Sequence, residues 1–389
     1  MDKRKILFLS HSAYFPNLLV GSHHLAIEYV RAGHEVLHIS TPLTVWHLFR
    51  LDKARIRDRI RRALRGVHRN EYGVLEWVPL VLDSHDLRAK LGLPGRNPWF
   101  SISLRRLRRS GFATPDILLM DQPRLAETAA AIPARTKVFR ATDFYEEMRE
   151  DPGIARMYAQ IRMNCQHVVA MAQPVAERLA KTMQRTVKVV PNGVDVEVFH
   201  LGNSPHPRLK ASSRPRLVYI GNIDKRFDRV ILERWSHHRP DCDFIMIGPR
   251  TGVGALKESL NVQYWDVMAK AELPSLLEHC NVGLIPMTDH PANAGRSPVK
   301  LYEYGAMRLP VLARATPELS RRGHEWLFLY ENEEQSLVLL DRALEAGSPL
   351  RDKARVDALA NSWKTVAEQL LQPESVKLEI QPGPKPCGS

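Results

Sequence analysis

The sequence predicts an α/β protein made of two successive parallel-sheet domains, and three observations carry that expectation. The chain opens with a strand, a helix and a strand, in that order, between residues 5 and 40. The same alternation of short apolar runs and helical stretches recurs to about residue 190. It then restarts beyond a segment rich in Gly, Pro, Ser and Asn at 201–216 (LGNSPHPRLKASSRPR). Strands alternating with helices are the pattern of βαβ units, whose parallel sheets carry helices on their faces.

The elements follow in order. Residues 5–9 (KILFL) form a short apolar run, read as the first buried strand. A loop with Pro16 and Gly21 leads into a helix over 22–31, with Leu25, Ala26, Tyr29 and Val30 on one face and Gly33 placed to end it. Residues 35–40 (EVLHIS) are the second strand. Residues 116–120, 137–140 and 167–170 read as further strands, with helical stretches near 122–131 and 154–164. Residues 187–190 are another strand, ending at Pro191-Asn192-Gly193-Val194-Asp195, where Asn-Gly marks a tight turn. The 201–216 segment has the composition of a linker. Beyond it, strands are expected at 217–220, 243–247, 262–264, 282–286 and 310–313, and helices at 273–278, 299–307 and 352–371. The expected domains are therefore 1–190 and 191–371, with a disordered tail at 372–389. Ligands of such sheets bind beyond the carboxyl ends of the strands, so a site is expected in a cleft between two facing sheets.

Composition narrows the function. The 389 residues hold 56 Lys and Arg against 43 Asp and Glu, a net charge of +13. Residues 1–190 carry all of that excess, with 31 basic and 18 acidic side chains, whereas 191–389 hold 25 of each. Such different halves point to different tasks. No run of about 18 apolar residues is present, so a transmembrane helix is not expected. The opening MDKRKILFLS is too short an apolar run for a signal peptide. The four cysteines (Cys165, Cys242, Cys280, Cys387) are scattered, which suits a reducing cytoplasm rather than a disulfide framework or zinc site. No His-Glu-x-x-His spacing occurs, so no metal and no cofactor is expected.

Four segments then carry a resemblance: Pro191-Asn192-Gly193-Val194-Asp195 with Phe199; Tyr219-Ile220-Gly221-Asn222-Ile223; Asn281-Val282-Gly283-Leu284-Ile285-Pro286; and Ser297-Pro298-Val299-Lys300-Leu301-Tyr302-Glu303-Tyr304-Gly305 with Leu309-Pro310-Val311. In this order and spacing the sequence resembles the GT-B glycosyltransferases. The resemblance implies two facing Rossmann-like domains with a central cleft and a C-terminal helix crossing back. Phe139-Arg140-Ala141-Thr142-Asp143 is similar to the segment that holds the proposed base of the xanthan-type glucuronosyltransferases, inverting enzymes acting on lipid-linked oligosaccharides. That resemblance implies a UDP-sugar donor as substrate and a lipid-linked acceptor as partner.

Glycosyl transfer from a nucleotide sugar needs the diphosphate neutralised, the nucleoside held and the acceptor hydroxyl deprotonated. Without a metal, a cation and the N–H groups of a helix N-terminus must stabilise the leaving group. Ser297 as a cap, Pro298 in the first turn, then Val299 and Lys300 suit that task. The resemblance puts Lys300 on the diphosphate; the plainer reading is a lysine on a solvated helix face. Glu303, three residues on, shares that face; it either grips the ribose, as the resemblance implies, or pairs with Lys300. Eight positions before Glu303 stands Gly295, within PANAGR at 291–296. No carboxylate is there to pair with Glu303 in the retaining pattern, and inversion is favoured. Inversion needs a base. Asp143, past the strand 137–140, is the candidate, with a helix cap as its plain alternative; His23 is the competing base, or a polar residue lining the cleft. Gly221 and Asn222 let backbone approach phosphate or sugar, or form a plain turn. The nucleobase is expected against 265–268, including Val267, with Trp265 there or in the core.

The basic half has its own pattern. Residues 50–109 contain 16 basic and 6 acidic side chains. Residues 45–64 read as a helix with Val45, Leu48, Phe49, Ile56, Ile60 and Leu64 on one face and Arg50, Lys53, Arg57 and Arg61 on another. Arg105, Arg106, Arg108 and Arg109 form a second cluster. Such a helix fits an anionic membrane surface, bringing a cytoplasmic enzyme to the inner face of the membrane, or it packs its apolar stripe on its own domain. Two other functions fit less of the sequence: a UDP-sugar 2-epimerase, for which extra carboxylates are not placed, and a nucleic-acid-binding protein, for which no recognition motif is present.

Overall fold

Runs of leucine, isoleucine and valine between turn residues form two parallel sheets. The computed structural model describes residues 2–15, 19–44, 54–81, 105–148, 151, 153–251 and 260–372. Contacts divide the chain at Val190–Pro191 into two units, with Ala172–Pro174 belonging to the second.

The first unit carries β1 (Lys5–Ser10), β2 (Glu35–Ser40), β3 (Leu43–Thr44), β4 (His68–Arg69), β5 (Leu75–Trp77), β6 (Leu80–Val81), β7 (Ile117–Met120), β8 (Thr136–Ala141), β9 (His167–Ala170) and β10 (Lys188–Val189). Eight of these form one sheet in the order β10-β9-β8-β7-β1-β2-β5-β4, and β3 pairs with β6. Every pairing in the large sheet is parallel except β4 with β5. The central strand reads as an unbroken apolar run because it is buried on both faces: Ile6, Leu7, Phe8 and Leu9 are all in the core. Leu9 lies opposite Ile39 of β2 and Met120 of β7, so the strand order reverses between β1 and β7.

The second unit carries β11 (Arg216–Ile220), β12 (Asp243–Ile247), β13 (Val262–Trp265), β14 (Val282–Ile285), β15 (Val311–Arg314) and β16 (Leu327–Tyr330), all parallel in the order β13-β12-β11-β14-β15-β16. Its reversal falls between β11 and β14. Trp235, Trp326, Tyr302 and Tyr304 are among the large side chains of its core.

Three expectations need correction. The 201–216 segment is laid on the second unit. Gly202 and Asn203 give their main-chain N–H groups to Glu278 at 2.9 and 2.8 Å, and the Arg208 guanidinium lies 4.1 Å from the Trp265 ring centroid. The terminal helix is two helices, Ser348–Ala360 and Trp363–Leu371, because Ser362 caps the second by accepting from Thr365 N–H at 3.1 Å. Leu64 does not face the core of its helix, Ala54–Arg65; it is 75% exposed, and Ala63 fills the inward position beside Ala13, Leu43 and Val78. The expected residues Val45, Leu48, Phe49, Arg50 and Lys53, and the tail from 373, lie outside the described residues.

Candidate active site

In the second unit the loop after β11 meets the start of helix Val299–Ala306. Gly221 N–H donates to the Ile247 carbonyl at 2.9 Å, which brings the ends of β11 and β12 together. A Cβ on Gly221 would stand 3.3 Å from Lys300 Cε, so the lysine stem lies directly against this glycine. The helix is seated by Tyr304, whose hydroxyl accepts from Ile220 N–H at 2.9 Å, and by Gly305, where a Cβ would stand 2.9 Å from the Ala354 carbonyl.

Lys300 is the second residue of that helix, in its first turn, where Leu301 N–H donates to the Pro298 carbonyl at 3.1 Å. Its ammonium makes no hydrogen bond or ion pair among the described residues. Burial lowers its pKa, and the nearby charge of Arg296 adds to that, while Glu303 opposes it. Arg296 also acts on Tyr219 and Asp224, so two cations converge on the loop after β11. Pro298 itself occupies the cap position, which corrects the expected cap at Ser297. The Ser297 hydroxyl instead lies 3.2 Å from Arg322 Nη2, and its carbonyl accepts from Asn192 Nδ2 at 2.8 Å.

Glu303 is buried, and its nearest cation is Lys270 at 4.0 Å rather than Lys300. Lys270 stands 3.9 Å from Asp195 as well. The Pro-Asn-Gly-Val-Asp segment has structural work of its own: Val194 N–H donates to the Asn361 carbonyl at 2.9 Å, and Gly193 has no room for a Cβ against 361–363. Asn222 holds the loop, donating to Asp224 Oδ2 at 2.8 Å and accepting from Thr251 Oγ1 at 2.9 Å. Val267 is exposed past the end of β13, whereas Trp265 is in the core.

In the first unit, β1 ends at Ser10 and β7 at Met120, so His11 and Asp121 leave adjacent strands where the sheet order reverses. Asp121 is buried. Its Oδ2 accepts from Ser10 Oγ at 3.0 Å; its Oδ1 accepts from His11 N–H at 2.9 Å and lies 3.2 Å from His11 Nδ1. Burial pushes this carboxyl up, but the interactions with His11 outweigh it, and Asp121 is held at about 2. Asp121 in turn raises the His11 imidazole above its ordinary value, against the opposing effect of burial. Ser10 Oγ is 2.7 Å from Ser22 Oγ, which lies 3.4 Å from His38 Nε2.

Asp143 sits two residues past the end of β8, partly buried, and its charge acts on His11 and on the buried Arg140. The helix it precedes is one turn, Tyr145–Met148; the Tyr145 hydroxyl donates to the Asp121 carbonyl and meets Thr142 Oγ1 at 3.0 Å. His23 is placed differently from a base. It is fully buried, its Nδ1 accepts from Val20 N–H at 3.1 Å, its Nε2 lies 3.3 Å from the Ser12 carbonyl, and it stacks on Tyr14 at 4.0 Å. Burial lowers it to about 4. Both ring nitrogens serve the main chain, leaving neither for a substrate hydroxyl.

Arg57, Arg61, Arg105 and Arg106 are exposed. Arg59 and Arg62 of the same helix turn inward, to the Thr41 carbonyl at 2.5 Å and to Glu76 at 2.6 Å. Arg106 brings the two basic segments together: its guanidinium packs on Gly66 at the end of helix Ala54–Arg65 and lies 5.7 Å from the Trp77 ring. Among the described residues no helix is long and apolar enough to cross a membrane, and no three His, Cys, Asp or Glu side chains gather as a metal would require.

His11, Asp121, Lys270 and Arg296 were not singled out from sequence. None lies in a motif. The signal for the first two was positional, since each directly follows a strand that the sequence does reveal.

No family model matches the chain. A protein of Bacillus subtilis (strain 168), provisionally named the teichuronic acid biosynthesis glycosyltransferase TuaH, is 27% identical over 151 residues, which is 37% of this chain and 38% of that protein's length. Among solved structures, sucrose-phosphate synthase of Thermosynechococcus elongatus superposes with a TM-score of 0.63 at 14% identity, over 96% of this chain and 98% of that one. HepE of Anabaena, in complex with UDP and glucose, superposes with a TM-score of 0.67 at 12% identity, over 96% and 99%. The chain therefore has the GT-B glycosyltransferase fold.

Proposed function

We propose that this chain is an inverting, metal-independent glycosyltransferase that moves a sugar from a UDP-sugar to a lipid-linked polysaccharide precursor. The observation that carries the proposal is Lys300, an unpaired ammonium among the described residues, lying against Gly221 at the start of a helix and beside Arg296. Two cations and the N-terminus of a helix stabilise the charge that develops on a departing diphosphate. A metal is not required where cations are already in place. Glu303 is assigned to the ribose, Val267 and the 265–268 loop to the base. Support for the donor class comes from the superposed HepE, solved with UDP and glucose; support for a polysaccharide product comes from the partial match to TuaH. Glucuronic acid is the donor sugar suggested by the xanthan-type segment at 139–143, where Asp143 is one of the groups that can hold the acceptor's proton. The exposed arginines of the first unit suit an acidic acceptor or the inner membrane face that carries it.

Thermal unfolding with and without UDP tests the donor assignment. UDP raises the midpoint of the wild-type protein, and Lys300→Ala removes most of that shift. Absence of any UDP effect, or an equal effect in the variant, overturns it.

A further inference from the structure

We propose that Lys270 is a positioning residue for the ribose of the donor: it holds the Glu303 carboxylate so that both ribose hydroxyls donate to it. The inference rests on the assignment of Glu303 to the ribose made above and names the residue that orients that carboxylate.

Helix Val299–Ala306 sends two charged side chains in different directions. Lys300 lies against Gly221, in the loop after β11, whereas Glu303 Oε1 faces Lys270 Nζ at 4.0 Å, in the segment after β13. Glu303 is buried, and among the described residues its carboxylate accepts no hydrogen bond. A buried carboxylate without donors is costly. One that a cation keeps ionised, with its lone pairs still open, suits a ligand that brings donors.

The same ammonium stands 3.9 Å from Asp195 Oδ2 and 5.4 Å from the Phe199 ring centroid. Lys270 is therefore shared between two carboxylates rather than closed onto one. At 3.9 and 4.0 Å neither contact is a direct hydrogen bond, so Glu303 keeps its acceptor capacity. One cation against two carboxylates leaves a negative charge in the group. That charge repels a phosphate and favours a neutral ligand with hydrogen-bond donors, and the neighbouring hydroxyls of a ribose supply two.

The main chain fixes where the ammonium stands. Residues 266–269 follow β13, and Lys270 opens a single 3₁₀ turn, Lys270–Glu272. Glu272 closes that turn: its side chain accepts from Ala269 N–H at 3.0 Å, and its own N–H donates to the Ala269 carbonyl at 3.0 Å. Asp195 is placed by Phe199, whose N–H donates to the Asp195 carbonyl at 2.9 Å. Lys270 thus joins the loop assigned to the base to the carboxylate assigned to the ribose. The two halves of the nucleoside are read by groups tied to one another.

The test is titration calorimetry of UDP and of 2′,3′-dideoxy-UDP, which keeps the base and the diphosphate but has neither ribose hydroxyl. The wild type prefers UDP by roughly 10–100-fold. Lys270→Met lowers that preference by about tenfold, through weaker UDP binding alone. Lys270→Arg, which keeps the charge, restores most of it. In a Glu303→Gln background Lys270→Met changes the preference little, because both act through one carboxylate. A merely structural lysine would weaken both ligands alike and act independently of Glu303. Lys270→Gln serves in the same assay if the methionine variant does not fold. A preference kept at its wild-type size in Lys270→Met, or an equal loss for both ligands, overturns the proposal and leaves the ribose assignment standing. A wild-type protein that binds both ligands equally, or neither, overturns the assignment of Glu303 to the ribose, and this inference falls with it.

Discussion

Gly248 is packed against the main chain of Gly221: a Cβ on residue 248 would stand 2.0 Å from the Gly221 carbonyl oxygen, and Gly248 has φ +136°. Strands β11 and β12 can end this close only because residue 248 has no side chain. Gly248→Ala therefore strains the backbone and parts the loops, with an expected loss of about 2–3 kcal/mol. Urea unfolding would read it. An alanine variant as stable as the wild type would show that the loops separate at no cost.

Gly221→Ala acts on the ligand site rather than on the sheet alone. The added methyl meets Tyr219 Oη at 2.5 Å and Lys300 Cε at 3.3 Å, so the lysine must move. UDP affinity is expected to fall by about tenfold or more, near the 1.5–3 kcal/mol typical of a charge-assisted hydrogen bond. Titration calorimetry gives the value. Unchanged affinity in Gly221→Ala would place the diphosphate elsewhere.

Lys270 stands between the carboxylates of Asp195 and Glu303, at 3.9 and 4.0 Å, and within 5.4 Å of the Phe199 ring centroid. Lys270→Met leaves two buried acidic side chains without that cation. The loss is expected to be about 1–3 kcal/mol, below that of a fully buried pair because the contacts are long and the lysine is 20% exposed. Denaturant midpoints measure it. A neutral outcome would mean that the two carboxylates are held by other partners.

What the sequence made legible was what hydrophobic period and turn chemistry encode. The strands at 35–40, 167–170 and 243–247 fall where their apolar runs place them, and the loop glycines follow their strands. Missed elements were those whose burial is decided by their neighbours. Helix Glu333–Leu344 is half polar and buries only Ser336, Leu340 and Ala343, and β16 (Leu327–Tyr330) is a four-residue edge strand paired only with β15. Lys300 and Glu303 are legible because they share one helix turn. His11 and Asp121 are 110 residues apart, and only the β1–β7 pairing joins them.

The buried histidines give the first unit an acid sensitivity with a definite sign. His23 titrates at about 4 when folded, against 6.5 in an ordinary environment, because burial disfavours its charged form. Between those values the unfolded chain binds the extra proton, so stability is greatest above pH 6.5 and falls as pH drops towards 4. The size is about 3 kcal/mol for this one group. His23→Gln should flatten the fall in thermal midpoint between pH 6.5 and 4. An unchanged pH profile in that variant would assign the sensitivity to His38, whose pKa burial also lowers.

The first unit's exposed arginines should bind anionic bilayers. Arg57 and Arg61 line the outer face of helix Ala54–Arg65, Leu64 stands exposed beside them, and Arg106 packs the second basic segment against Gly66. The inward arginines, Arg59 and Arg62, bond to the Thr41 carbonyl and to Glu76, whereas the side chains of Arg57 and Arg61 are exposed. Each basic side chain near an anionic leaflet contributes about 1 kcal/mol, so Arg57→Ala with Arg61→Ala should weaken binding to phosphatidylglycerol vesicles roughly thirtyfold. Flotation across a salt series measures this, because attraction between exposed charges fades as the screening length shortens. Absence of binding at low salt, or binding that salt leaves unchanged, would return the helix to a purely structural role.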